Sequence, residues 1–190
     1  MTLTRPVSGW TFADLQTLPQ SSTRYEIIEG ELYEMPPPAS AHAVTVLNLL
    51  QILGPIVAAL RGWLLTAPLG VFITGADPVE PDVVVLLPGG KGRLAARGVE
   101  GPPDLVIEVL SPSNRGHDLL TKRALYGRGG VREYWIVDPD TRTIEILALD
   151  RDALHVVQSG LEHDTIFSPV LGNASIPISA IFARIEEIEA

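Results

Sequence analysis

The apolar positions of this chain cluster in short continuous runs, and the clearest is Pro103-Asp104-Leu105-Val106-Ile107-Glu108-Val109-Leu110-Ser111-Pro112. Its β-branched content and Ser-Pro stop predict a strand buried on both faces. A second run, Glu80-Pro81-Asp82-Val83-Val84-Val85-Leu86-Leu87, is entered through Pro-Asp and stopped by Pro88-Gly89-Gly90. Upstream, Trp10–Leu18 reads as a short helix with Thr11 as N-cap, Asp14 three residues on and Pro19 as its end. Tyr25–Glu29 and Glu31–Met35 read as a hairpin hinged on Gly30, followed by a stiff Pro36-Pro37-Pro38 spacer. The longest apolar stretch, Ala43–Leu60, predicts a buried helix that starts at Ser40 and is kinked or broken at Pro55. Polar interruptions at Thr45, Asn48 and Gln51, and no Lys/Arg skew at either end, argue against a membrane span.

Farther on, Gly62–Leu65 and Gly70–Thr74 predict strands on either side of a turn at Pro68, and Pro88–Gly101 reads as a Gly/Lys/Arg-rich loop. Asp118–Tyr126 has helical residue types and is closed by Gly127 and Gly129-Gly130. Glu133–Val137 and Thr143–Leu149 flank a type I turn in Asp138-Pro139-Asp140-Thr141-Arg142 and read as a hairpin, and His155–Gln158 and Thr165–Phe167 add short strands. There is no repeat and no Gly-rich phosphate loop. The pattern predicts one domain over residues 1–190, with its core about residues 20–182.

Two residues break the apolar pattern where breaking it is costly. A lone carboxylate in a strand buried on both faces, Glu108, requires a cation or a hydrogen-bond network; its plainer reading is a frayed strand end or an Arg pair. Asp82 stands at the entrance of the second strand, where its plainer reading is the start of a turn. Together the two make a candidate site for a hard divalent cation, for which oxygen ligands are the natural choice. Lys122, one of only two lysines, is four residues from Asp118 on the helix that leaves the Glu108 strand. It reads either as a solvated i, i+4 partner or as an ammonium reaching the carboxylate. His42, in the first turn of the long helix, is a surface or capping residue, or a group aimed at a phosphate.

Charge and composition narrow the function classes. A net charge of −9 argues against indiscriminate coating of nucleic acid. Residues 91–132 nevertheless hold eight basic side chains against four acids, so any polyanion contact is expected there. The absence of cysteine excludes disulfides and thiolate metal sites, and together with the lack of an export leader it fits a cytoplasmic protein.

These residues carry a resemblance. Pro81-Asp82, Glu108 with apolar neighbours, Ser111-Pro112-Ser113 and the Asp118 to Lys122 helix resemble the Uma family (Uma two) of restriction-endonuclease-like proteins. The blocks Tyr25–Leu32, Asp104–Ser113 and Glu133–Pro139 are similar to its recurrent segments, and the likeness spans roughly residues 10–182. That family is grouped with the PD-(D/E)XK nucleases. The resemblance implies an α/β fold: a restriction-endonuclease-like core whose central mixed sheet carries the Ala43–Leu60 helix on one face and the Asp118–Tyr126 helix on the other. It implies Mg²⁺ (or Mn²⁺) held by Asp82 and Glu108 for hydrolysis of phosphodiester bonds in nucleic acid, DNA above all. Leu110 stands where the superfamily has Lys, so the resemblance moves the lysine's role to Lys122. Glu31 would be an additional acid near the metal and His42 a peripheral member.

Three functions are therefore expected to compete. The first is a Mg²⁺-dependent endonuclease. The second is a non-catalytic module that keeps the fold and binds nucleic acid or another partner. The third is a metal-dependent hydrolase of another phosphoester. No membrane partner is expected, and the Ala43–Leu60 segment leaves room for a homodimer contact.

Overall fold

The structure, a computed structural model, describes residues 9–17, 24–28, 30–35, 39–73, 78–111 and 117–188. Its centre is a six-stranded mixed sheet. The strands are β3 (Trp63–Thr66), β5 (Val83–Leu86), β8 (Leu105–Val109), β9 (Glu133–Asp138), β10 (Thr143–Asp150) and β11 (Ala153–Leu161), in the order β11-β10-β9-β8-β5-β3. Within this sheet only β8 and β9 pair in parallel. A parallel pair needs a long crossover, and helix α3 (His117–Gly129) supplies it. Every residue of β5 and β8 is buried, which matches their unbroken apolar runs.

The two faces are covered by different helices. Helix α2 (Ser40–Ala59) presents Thr45, Leu49, Leu53 and Val57, a stripe of i, i+4 positions, as its buried side. That stripe joins Val83, Val85, Leu105, Ile107 and Val109, so α2 lies on the face of the odd-numbered strand residues. The other face buries Val84, Leu86 and Val106 with Tyr126 of α3. The α/β arrangement with one helix on each side of a mixed sheet is thus present.

Helix α2 passes through Pro55 without ending, so of the expected kink or break the break does not occur. Both Pro55 and Gln51, whose carbonyl loses its helical partner, are exposed, so water can satisfy the freed group. The helix is long and apolar enough to cross a bilayer by length and hydropathy, yet its buried positions form one stripe against the sheet instead of a uniformly apolar surface.

The expected loop over Pro88–Gly101 contains two strands, β6 (Arg93–Ala95) and β7 (Gly98–Glu100), which with β4 (Val71–Phe72) form a second sheet in the order β4-β7-β6. Gly98 has φ 138°, and a Cβ there would collide with the Gly70 carbonyl, to which the Val99 N–H donates at 2.9 Å. Arg93 and Arg97 both pair with Glu100, and Arg97 also covers the Phe72 ring at 4.1 Å. Part of the basic charge in this segment is thereby used within it.

Helix α3 likewise continues through Gly127, which serves close packing instead of termination: a Cβ there would lie 2.9 Å from the Asp152 carbonyl oxygen. The stop falls at Gly130 (φ 89°), where the N–H groups of Gly130 and Val131 both reach the Tyr126 carbonyl.

Elsewhere the predicted elements form with shifted ends. Helix α1 (Phe12–Thr17) is capped reciprocally, with the Thr11 N–H donating to Asp14 Oδ2 (2.9 Å) and the Asp14 N–H to Thr11 Oγ1 (3.3 Å). Strands β1 (Arg24–Ile28) and β2 (Glu31–Met35) pair antiparallel about Gly30. The Asp138 turn is fixed by Oδ1, which accepts from the N–H groups of Asp140 (3.0 Å) and Thr141 (3.3 Å). Strand β11 is much longer than the four residues expected. Strand β12 (Thr165–Ser168) pairs with a further strand, β13 (Ala174–Pro177), which leads into α4 (Ile178–Ile181). The Pro36-Pro37-Pro38 spacer, the Leu18-Pro19 helix end, Pro112 and Ser113 of the segment after the Glu108 strand, and the Asp118 side chain lie outside the described residues.

Candidate metal centre and active site

Strand pairing brings the two singled-out carboxylates to one end of the sheet. Val83 pairs with Ile107 and Val84 with Val106, so Asp82, the residue before β5, comes to the same end of the sheet as Glu108. Asp82 is pinned through its backbone, whose carbonyl accepts from Ala67 N–H (3.2 Å) and Thr66 Oγ1 (2.8 Å). Its Oδ2 accepts from the Val109 N–H at 2.8 Å and lies 3.2 Å from His42 Nε2. The side chain keeps some access to solvent (19%), and among the described residues its Oδ1 has no hydrogen-bond donor.

Glu108 is nearly closed off from water (6% exposed), and its Oε1 is compensated from α3. Lys122 Nζ lies 3.2 Å away and the Tyr126 hydroxyl donates at 2.6 Å. Lys122 and Tyr126 are four apart, hence on one helix face, and both are buried. Lys122 is only 2% exposed, which excludes the solvated surface pair as its setting. The Tyr126 ring is fixed edge-on to Tyr134, centroids 5.1 Å apart. Nothing about Tyr126 marked it in advance; the available signal was its i+4 spacing from Lys122.

Other buried carboxylates differ in kind. Glu133 receives the Trp135 indole N–H (2.7 Å), the Ser168 hydroxyl (2.6 Å) and the Val170 N–H (3.3 Å), which tie β9 to the β12 end. Asp104 receives the Leu87 N–H (2.8 Å) and Arg132 (3.0 Å). Both are joints of the scaffold. Asp82 and Glu108 differ in lying at the same end of the sheet, Glu108 against the buried ammonium of Lys122 and Asp82 against His42.

The remaining predicted members are placed less centrally. His42 touches Asp82 from the first turn of α2, and its Nδ1 is buried without a hydrogen-bond partner. Glu31 is exposed at the head of β2. The described residues contain no group of three or more His, Asp or Glu side chains able to hold a metal ion, so Glu31 and His42 do not complete such a set with the two acids. Two carboxylates without thiolates fit Mg²⁺ or Mn²⁺, ions that keep several waters and take one or two protein carboxylates plus substrate phosphate. They do not fit a closed structural zinc site.

A cleft of about 510 Å³ adjoins this end of the sheet, lined by Leu110, Ile136, Asp138, Glu145 and Asp164 among others. Its described lining has three acids and no base, so its field repels a polyanion.

The fold is similar to the crystal structure of a "putative nuclease belonging to DUF820" from Anabaena variabilis ATCC 29413. The TM-score is 0.69 at 21% sequence identity, over 92% of this chain and 98% of that one. No curated protein matches the chain. A family model matches residues 12–179, nearly the whole length, and by that match the protein belongs to the Uma2 family, described as "Putative restriction endonuclease".

Proposed function

We propose that this protein is a Mg²⁺- or Mn²⁺-dependent endonuclease that hydrolyses phosphodiester bonds, with DNA as its substrate. The observation that carries the reading is the buried Glu108–Lys122 contact at 3.2 Å, one strand from Asp82. An ammonium buried against a carboxylate at the open end of a sheet is expensive to keep unless the charges are used. Asp82 and Glu108 would hold the metal, which when bound polarises a phosphate oxygen and acidifies a water. Lys122 would neutralise charge growing on the phosphate or orient the attacking water. Tyr126 would hold Glu108 in its rotamer, and His42 would do the same for Asp82. Membership of the Uma2 family agrees with this reading.

One observation favours a second reading, a non-catalytic module that retains the fold. The chain carries −9 net charge and the cleft beside Leu110 and Asp138 is acidic, which opposes productive binding of a polyanion. Incubation with single-stranded, double-stranded and branched DNA and with RNA separates the two, with Asp82→Ala as control. Metal-dependent cleavage lost in the variant supports the nuclease. Binding without cleavage by either protein supports the module. Turnover confined to small phosphoesters indicates a hydrolase of another class.

A further inference from the structure

The opposite end of strand β5 carries a groove that the proposed chemistry does not use. It is a cleft of about 360 Å³ bounded by Arg61, Trp63, Arg93 and Leu94 over a floor formed by Leu86. Trp63 opens the edge strand β3, pairs with Leu86, and has 60% of its surface exposed. An exposed indole of that size is unusual, since tryptophan ordinarily buries most of its area. Trp135, by contrast, is fully buried.

Two arginines line the groove together with the indole. Arg61 follows the C-terminus of α2 in the left-handed region (φ 56°), is exposed, and forms no ion pair among the described residues. Arg93 reaches the groove from β6 with 75% of its side chain exposed, one side of it held by Glu100. No acid lines the groove, although the chain has 23 acidic against 14 basic residues. A flat apolar ring with flanking cations suits a base stacked on the indole and phosphates on the arginines. An acidic or purely apolar partner would use only half of these groups.

We propose that the Arg61–Trp63–Arg93 groove is a subsite for single-stranded nucleic acid, in which Trp63 stacks an unpaired base and the arginines hold the adjoining phosphates. Along β5 it stands four residues from Asp82, about 13 Å at the rise of a strand. The inference deepens the nuclease reading by giving the nucleic acid a second point of contact away from the acidic cleft.

The test is binding of a fluorescently labelled oligothymidylate, read by anisotropy with EDTA present and in the Asp82→Ala background, so that cleavage plays no part. Trp63→Ala should weaken binding about tenfold, and Trp63→Phe should retain most of it. Arg61→Ala should lower the slope of log affinity against log salt by about 0.7, the value for one phosphate of a single strand. Because Trp63 and Arg61 are exposed, melting curves of all variants should match the parent. Unchanged affinity and salt slope in both Trp63→Ala and Arg61→Ala would overturn the subsite, as would no binding by the parent. So would a change in sedimentation with Trp63→Ala and no change in binding, since a second copy of the chain would then occupy the groove. Cleavage by the wild type with binding insensitive to Trp63 rejects the subsite and leaves the nuclease reading standing. Trp63-dependent binding with no cleavage by the wild type rejects the nuclease reading and leaves the subsite.

Discussion

Lys122 Nζ stands 3.2 Å from Glu108 Oε1, and the two side chains are 2% and 8% exposed. A pair so enclosed is strongly coupled, because removing one partner leaves the other charged in a poorly solvated place. Lys122→Ala is therefore expected to destabilise the fold by about 3–5 kcal/mol. Glu108→Gln with Lys122→Met should recover part of that loss. Urea denaturation of both singles and the double measures the coupling, and strictly additive losses would show that the contact is not formed in solution.

Tyr126 offers a gentler probe of the same carboxylate. Tyr126→Phe keeps the ring against Tyr134 and removes only the hydroxyl that donates to Glu108. The expected cost is about 1.5–3 kcal/mol, the range for a hydrogen bond to a charged group. Cleavage should slow with little change in substrate affinity, since a positioning residue acts on Glu108 and not on the nucleic acid. Single-turnover rates set against binding constants test this.

The proposed metal is expected to act on stability as well as on chemistry. An ion that binds only the folded state raises the melting temperature by mass action, by about 2.7 kcal/mol in stability at a hundredfold excess over its Kd. Millimolar Mg²⁺ or Mn²⁺ should shift the melting curve of the wild type. The same ions should leave Asp82→Ala unmoved, and a calorimetric scan of both proteins decides it.

Helix α2 can be tested without reference to catalysis. Leu53 is fully buried in its stripe and Leu47 is half exposed. Leu53→Ala should cost about 2–5 kcal/mol. Leu47→Ala should stay within about 0.5 kcal/mol. Similar small costs at both positions would mean that the stripe does not pack against the sheet.

Much of this site was legible because its residues violate the patterns around them. Glu108 interrupts a β-branched run, and Lys122 is a rare lysine on the next helix, so a need for compensation and a means of supplying it adjoin in sequence. Tyr126 follows the pattern of any buried aromatic, and only the folded helix shows its hydroxyl on the carboxylate. The His42 contact with Asp82 joins residues far apart in the chain through the packing of α2, which local pattern does not encode. Strands β6 and β7 were hidden for a different reason. Each is three residues long, and Arg93–Glu100 lacks the alternation that announces a strand; the pairing with β4 is what makes them a sheet. At Pro55 and Gly127 the sequence carries stop signals that exposure and close packing override.

The most direct measurement of the proposed chemistry is single-turnover cleavage of a DNA substrate in Mg²⁺, Mn²⁺ and EDTA. It compares the wild type with Asp82→Ala and Lys122→Met, each first shown to be folded under the assay conditions. The wild type is expected to cleave in either metal and not in EDTA, and each variant is expected to lose at least about a hundredfold in rate. Cleavage that persists in EDTA, or that Asp82→Ala and Lys122→Met both retain at the wild-type rate, would contradict it.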